Sequence, residues 1–426
     1  MSATLLTVIL FFVFMFMGVP VSVSMILGLI LSVLVFDIYA MISIATLFYS
    51  ALDSYLLVAI PLFMLAGIAM SFGGVARRIF DFSESILGFL PGSLGGVNIM
   101  ASMIFGGLSG SSVADVAGLG SLEIKEMKTR NYPLKYATAL TIASSTMAVI
   151  IPPSILLIIY ATIADASVGE MLAAGLVPGL FVAALMITAN TYLAIRNKWT
   201  PLKNFSVRKV IKTSTIGIPA MLAPVIILGG IFFGTFTPTE ASAIAFIYCI
   251  VIGMFFYREL NFKKIYRIVY EGGRTTGIVA LELAAGLLFS NLITIEGIPQ
   301  ILSTSIAGLT QNPILIMLMI NVVLLFAGMF LNPGFSIIVF TPLLLPLAES
   351  IGYGPIHFGI IMVTNLALGL ITPPVGACLY MGSVVSGLRV EQIIRPLIPF
   401  YFVLILALIC IILLPQLSQG FVDLIY

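Results

Sequence analysis

GLSGSSVAD, residues 107–115, decides how this chain folds. It places a Ser–Gly break inside a long apolar stretch, and an altered copy, GMFLNPGFS, stands at 328–336. Each break is followed by a proline pair: Pro152 and Pro153 in IIPPS, Pro373 and Pro374 in ITPPVG. Ser111 to Pro152 covers 41 positions and Asn332 to Pro373 covers 41 again, so one offset of 221 superposes both landmarks and carries Tyr132 onto Tyr353. Three landmarks at one offset identify an internal repeat.

The charges between the landmarks orient the two copies. The first has the polar loop SLEIKEMKTRNYPLK with Lys125, Lys128, Arg130 and Lys135; its counterpart AESIGYGPIHF has no Lys or Arg. Basic loops are retained in the cytoplasm, so equivalent loops lie on opposite sides of a bilayer and the repeat is inverted. Inverted repeats with broken helices are the architecture of secondary transporters.

Composition agrees. The chain is 61% hydrophobic and 8% charged, outside the range of soluble domains. Its 19 basic residues fall in short loops at 77–78, 125–135, 196–212, 258–274 and 389–395, a topology signal rather than a nucleic-acid surface. Cys249, Cys378 and Cys410 lie in apolar segments without ligand-like spacing, so neither a disulfide framework nor a zinc site is expected. The run 5–35 has no basic leader and continues into further spans, and it reads as mature protein rather than a cleaved signal.

Anchored on the basic loops, spans are expected at 3–18, 21–36 and 55–73, with a stretch at the outer interface from 37 to 54 and a periplasmic N-terminus. Residues 92–121 have basic loops on both sides and therefore enter and leave on the cytoplasmic side. The limb after the SGSS break has about a dozen residues, roughly 16–18 Å against a hydrocarbon core of about 30 Å, so a re-entrant helical hairpin with its tip at 109–112 is expected. Broken backbone at that depth is tolerated only when buried in protein or lining an aqueous cavity. A broken span follows at 137–163, another span at 171–195, then a basic connector offering Trp199, Phe205, Val210 and Ile211 to the membrane surface. The second half repeats the plan: spans at 215–236 and 241–257, an interfacial basic helix at 258–271, a span at 275–295, a hairpin at 313–346 from the opposite side, a broken span at 358–386 and a last span at 397–415.

Two tips and two broken helices meeting near the midplane make a transport site, where half-helix N-termini attract an anion and unwound carbonyls coordinate a cation. Hydroxyls and glycines concentrate there: Ser109, Gly110, Ser111 and Ser112 with Ser144, Ser145, Thr146 and Ser154; then Asn332, Pro333, Gly334 and Ser336 with Thr364, Asn365 and Thr372. Such oxygens suit a hard cation such as sodium, and two related sodium sites are expected. Ser, Thr and Gly also pack membrane helices; their occurrence at both tips favours function. Asp115 fits either a functional ionisable group or a cap of the second limb. Glu282, inside LELAAGLLF, reads as a structural pairing across the scaffold or to a partner, and His357 as an interfacial structural residue.

In GLSGSSVADVAGLGSL, IIPPS, GMFLNPGFSIIVFTPLLLPLA and NLALGLITPPVG, in that order and spacing, the chain resembles the large membrane (M, or DctM-like) subunit of tripartite ATP-independent periplasmic (TRAP) transporters over essentially its whole length. The resemblance implies an all-α membrane fold like that of divalent anion/sodium symporters, with a scaffold (1–74, 176–295 and a C-terminal helix at 391–426) and a mobile elevator domain (75–175 and 296–390). It implies sodium-coupled uptake of an organic acid anion, of sialic acid or C4-dicarboxylate type, across the bacterial inner membrane, without an enzymatic step or an organic cofactor. The implied partners are a small membrane subunit of about four helices (DctQ-like) and a periplasmic substrate-binding protein. Carried over by position, Ser109, Ser111, Ser154 and Asn332 face substrate, while Gly110, Ser112, Ser144, Ser145, Gly334, Thr364, Asn365 and Thr372 hold sodium. Many relatives carry Asp or Glu where this chain has Asn332, which leaves no acid-dependent step there. A passive anion channel and an intramembrane enzyme are the rivals; one histidine and no paired carboxylate motif argue against the enzyme.

Overall fold

The computed structural model describes residues 2–38, 41–53, 58–199, 206–310 and 312–426. Among these residues the backbone forms helices and connecting turns, with no strand. Seven helices are long and apolar enough to cross a bilayer, including Val168–Arg196, Val210–Phe232, Pro238–Phe256 and Val390–Leu413, and the pair Ala59–Phe72 and Val75–Leu87, bent by 72°, passes the same test together. The first two helices, Ala3–Phe16 and Val21–Phe36, are shorter. The carboxylate of Glu296 accepts the N–H groups of Ala3 at 2.8 Å and Thr4 at 2.9 Å, a negative charge on the positive end of the helix dipole.

The first hairpin closes at the expected tip. Helix Ser93–Ser109 ends at Gly110, whose φ of +61° only glycine adopts at no cost, and the chain restarts as Ser112–Ala117. Asn98 Nδ2 reaches Met127 Sδ at 4.0 Å, and Phe105 stands beside Gly118, so the two limbs run antiparallel. The returning limb departs from expectation. It is helical for six residues, turns at Gly118, and resumes as helix Leu119–Thr129, so most of the supposed polar loop is a helix. Leu119, Glu123 and Met127, four residues apart, all face inward there.

The second hairpin joins Pro313–Phe330 to Pro333–Ser350, with an extended interruption at Leu331 and Asn332. Each hairpin packs on a broken helix. One consists of Leu134–Ser145, a 3₁₀ turn at Thr146–Val149 and Ile155–Ile163; the other of Pro355–Gly369 and Ala377–Ser386. Both proline pairs lie in the breaks, each with a cis bond. The two broken helices run antiparallel. The Tyr160 hydroxyl donates to the Pro355 carbonyl at 2.8 Å and its ring meets Phe358, while at the other end Gly382 sits against Ile142 and Thr138. Antiparallel packing of equivalent elements is what an inverted repeat requires.

The basic segments gather at one end. Arg130 pairs with Glu84 at 3.0 Å, Arg78 with Glu259 at 2.8 Å, and Thr213 bonds Ser85 at 2.8 Å. The Trp199 ring packs on Tyr132 and Tyr136 at 4.9 and 4.6 Å, so Trp199 pins the connector to the first broken helix instead of facing lipid. Ile211 is exposed, Val210 half-buried, and Phe205 lies outside the described residues. Tyr353, the repeat partner of Tyr132, is stacked on His357, whose Nδ1 lies 2.5 Å from Ser418 Oγ; this fits the structural role expected of His357. Cysteines introduced at Lys128 and at Tyr353 should therefore react with a membrane-impermeant maleimide from opposite sides of the bilayer. Labelling of both from one side would overturn the inverted topology.

One element differs outright. The expected interfacial helix at 258–271 and the separate span at 275–295 are a single 34-residue helix, Phe262–Ile295, capped by Asn261. Its interior has no proline, and Gly272 lies directly under Leu65, whose side chain would have to shift to admit a Cβ there. Gly272 therefore serves close packing rather than a break, while Gly273 faces open space. At 1.5 Å per residue the helix is about 51 Å long, long enough to carry its basic first turns well clear of the hydrocarbon.

Candidate functional site

The two tips meet. Residues from Ser109 to Ala114 and from Asn332 to Gly334 line one cavity of about 460 Å³ together with Thr275, Val279 and Glu282 of the long helix and Gly67 of helix Ala59–Phe72. A Cβ on Gly67 would stand 3.0 Å from the Ser109 backbone, so the first tip rests on that helix backbone to backbone.

Each tip is shaped by a capping side chain. Ser111 Oγ accepts the Ala114 N–H at 3.4 Å, and Asn332 Oδ1 accepts the Gly334 N–H at 2.9 Å. Ser154 caps the second half of the first broken helix, accepting the Leu157 N–H at 3.4 Å while donating to the Val149 carbonyl at 2.6 Å. Gly376, at φ +51°, opens the second half of the other. Four half-helix N-termini therefore lie at the tips and breaks. Each carries partial positive charge.

Behind the tips the halves repeat one polar contact. Ser144 Oγ donates to Asn98 Oδ1 at 2.8 Å and lies 3.1 Å from Ser102 Oγ; its repeat partner Asn365 donates to Asn321 Oδ1 at 2.7 Å. In each case the broken helix is tied to the first limb of its hairpin. Ser112 Oγ, Ser336 Oγ, Thr364 Oγ1 and Asn365 Oδ1 are buried with no hydrogen-bond partner among the described residues. Buried oxygens of this kind cost free energy unless something completes them, and a hard cation does so. Ser145 and Thr372 instead donate to carbonyls one turn back, Ile142 at 2.8 Å and Leu368 at 2.6 Å, which leaves their lone pairs as acceptors.

The expected site residues thus divide. Ser109, Gly110, Ser111, Ser112, Asn332 and Gly334 line the cavity; Ser144, Ser145, Ser154, Thr364, Asn365 and Thr372 do not and sit behind it. Ser154 is fully buried with its hydroxyl committed to the cap, so it shapes the break rather than touching the cavity. Asp115 is not a cap, since Ser111 fills that position. It is fully buried beside Glu123, whose carboxyl has no hydrogen-bond partner among the described residues. Glu123 went unnoticed in the sequence because its neighbours Lys125, Glu126 and Lys128 mark a solvated segment; the four-residue spacing to Leu119 and Met127 was the available signal. Glu282 makes no ion pair among the described residues and lines the cavity instead.

The chain is 36% identical to the C4-dicarboxylate TRAP transporter large permease protein DctM of Pseudomonas aeruginosa, over 92% of this chain and 91% of that protein. It is 35% identical to the sialic acid TRAP transporter large permease protein SiaM of Vibrio cholerae, over 96% and 97%. In fold it resembles the Alcanivorax borkumensis YdaH transporter, described as having an unusual topology, with a TM-score of 0.63 at 14% identity over 89% of this chain and 88% of that one. Residues 8–417 match the family described as tripartite ATP-independent periplasmic transporter, DctM component, and this multi-pass membrane protein belongs to that family.

Proposed function

We propose that the chain is the membrane-spanning carrier of a sodium-coupled organic-acid uptake system. The observation that carries this reading is the cavity lined by both tips, with unpartnered buried oxygens at the first tip (Ser112) and behind the second (Thr364 and Asn365). Anion substrate lies against Ser109, Ser111 and Asn332, drawn by the half-helix N-termini. One sodium ion sits among Gly110, Ser112, Ser144 and Ser145, and a second among Gly334, Thr364, Asn365 and Thr372. The hairpins and broken helices, residues 75–163 and 296–386, move as an elevator against the rest of the chain; the body boundary expected at 175 is not kept, because helix Val168–Arg196 runs through it unbroken. Helix Val75–Leu87, tied to the hairpin through Glu84 and to the scaffold through Ser85, is where the two bodies join. A small four-helix membrane subunit and a periplasmic binding protein complete the system in the bacterial inner membrane, the binding protein delivering the anion.

The test is uptake into proteoliposomes containing both membrane subunits and the binding protein. Ser111→Ala and Asn332→Ala each remove a cap worth about 1 kcal/mol from a tip that must be ordered to bind, and uptake is expected to fall about fivefold with assembly unchanged on gel filtration. Wild-type rates in both variants would remove these residues from the site. A passive channel predicts single-channel conductance in sodium-free solution instead.

A further inference from the structure

The long helix presents Thr275, Val279 and Glu282 to the cavity, residues four and three apart on one helical face. Among the described residues lining the cavity, Glu282 is the only one with an ionisable side chain, and none is Lys, Arg or His. The cavity lining therefore combines features of opposite sign. The N-terminus of helix Pro333–Ser350 at the second tip favours one carboxylate. The long helix offers a carboxylate of its own, which accepts hydrogen bonds and repels a second negative charge.

From this polarity, resting on the anion-carrier reading above, we infer that Glu282 sets substrate class: it accepts hydrogen bonds from hydroxyl or N–H groups at the end of the substrate away from its carboxylate, and it excludes dicarboxylates. The preferred substrate is a hydroxylated monocarboxylic acid. Size points the same way. At about 30 Å³ per water-sized unit the cavity holds on the order of fifteen such units, against about eight non-hydrogen atoms in a four-carbon diacid. A small diacid would also leave one carboxylate facing Glu282 without a compensating cation. A like charge about 8 Å away, at an effective dielectric of about 20, weakens binding on the order of 30-fold.

The experiment measures binding of gluconate, N-acetylneuraminate and succinate to the purified complex of both membrane subunits in sodium, by isothermal titration, with wild-type protein and with Glu282→Gln. In the wild type at least one hydroxylated acid should bind and succinate should bind on the order of 30-fold more weakly. In Glu282→Gln the hydroxylated acid should lose roughly 5- to 10-fold, because a charge-assisted hydrogen bond becomes a neutral one, while succinate gains. Opposite changes cannot come from a damaged fold. Succinate binding the wild type as tightly as the hydroxylated acids, or a variant that weakens all three ligands alike or leaves their ratio unchanged, would overturn the assignment. Absence of binding by every anion in the wild type would overturn the anion-carrier reading itself.

Discussion

Replacing sodium with potassium on both sides of the proteoliposome membrane is expected to abolish anion uptake and to weaken substrate binding by about 10- to 100-fold. The cavity presents a carboxylate with hydroxyls, an amide and half-helix N-termini but no basic side chain among the described lining residues. Bringing a carboxylate out of water costs several kcal/mol. A helix N-terminus returns about 0.3–1 kcal/mol, or at most about 2 in partly buried geometry, so the tips alone do not hold the anion securely. A cation about 5 Å away contributes on the order of 3 kcal/mol at an effective dielectric of about 20. Sodium held as proposed would decide the balance. Titration of substrate in sodium, potassium and choline measures the coupling directly, and uptake in potassium at the sodium rate would refute it. By reciprocity, substrate should tighten apparent sodium affinity by the same factor.

The parts of this architecture written in local chemistry were legible in the sequence. Glycines and prolines at 107–115, 152–153, 328–336 and 373–374 mark breaks, because each removes or distorts helix hydrogen bonds wherever it stands. The sign of the intervening loops gave the inversion, since the burial cost of Lys and Arg depends little on detail. Features set by tertiary packing were not legible. The gap between the expected basic helix at 258–271 and the expected span at 275–295 contains Gly272 and Gly273, but Gly272 lies under Leu65 and the helix runs on. Trp199 looks like a membrane-surface anchor, yet Tyr132 and Tyr136 from a distant segment claim it. In the sequence Glu123 reads as part of a polar loop, and Glu282 as a structural pairing across the scaffold or to a partner, of which only the pairing within this chain is missing among the described residues. Which face of a helix meets a cavity depends on neighbours that no local pattern names. The site divided along the same line: the tips lie where the repeat put them, whereas Ser154 turned inward to cap a helix.

Gly369→Ala is expected to destabilise the protein by about 1–3 kcal/mol and Gly369→Val by more, with uptake lost in both. At this position a Cβ would stand 2.5 Å from the Gly328 Cα and 2.8 Å from its carbonyl oxygen. Those neighbours are backbone and cannot rotate away, so the second hairpin must separate from its broken helix. The same crossing occurs in the first half, where a Cβ on Gly106 would stand 2.6 Å from Ala148 Cα, and Ala148 is the repeat partner of Gly369. In each half the crossing lies about one helical turn from the polar tie, Ser144 to Asn98 or Asn365 to Asn321. A separation that relieves the clash therefore also pulls apart oxygens proposed to hold sodium. Gly273→Ala supplies the control: it sits in the interior of a long helix, a Cβ there meets nothing within 4 Å, and replacing glycine by alanine in a helix interior gains about 0.5–1 kcal/mol. Thermal unfolding of the purified complex, followed by circular dichroism with and without sodium, separates the two cases. Gly369→Ala should lower the midpoint and reduce the sodium-dependent increment, and Gly273→Ala should raise the midpoint while keeping that increment. A Gly369→Ala protein with an unchanged midpoint and a full sodium response would show that the hairpin crossing does not set the geometry of the cation site.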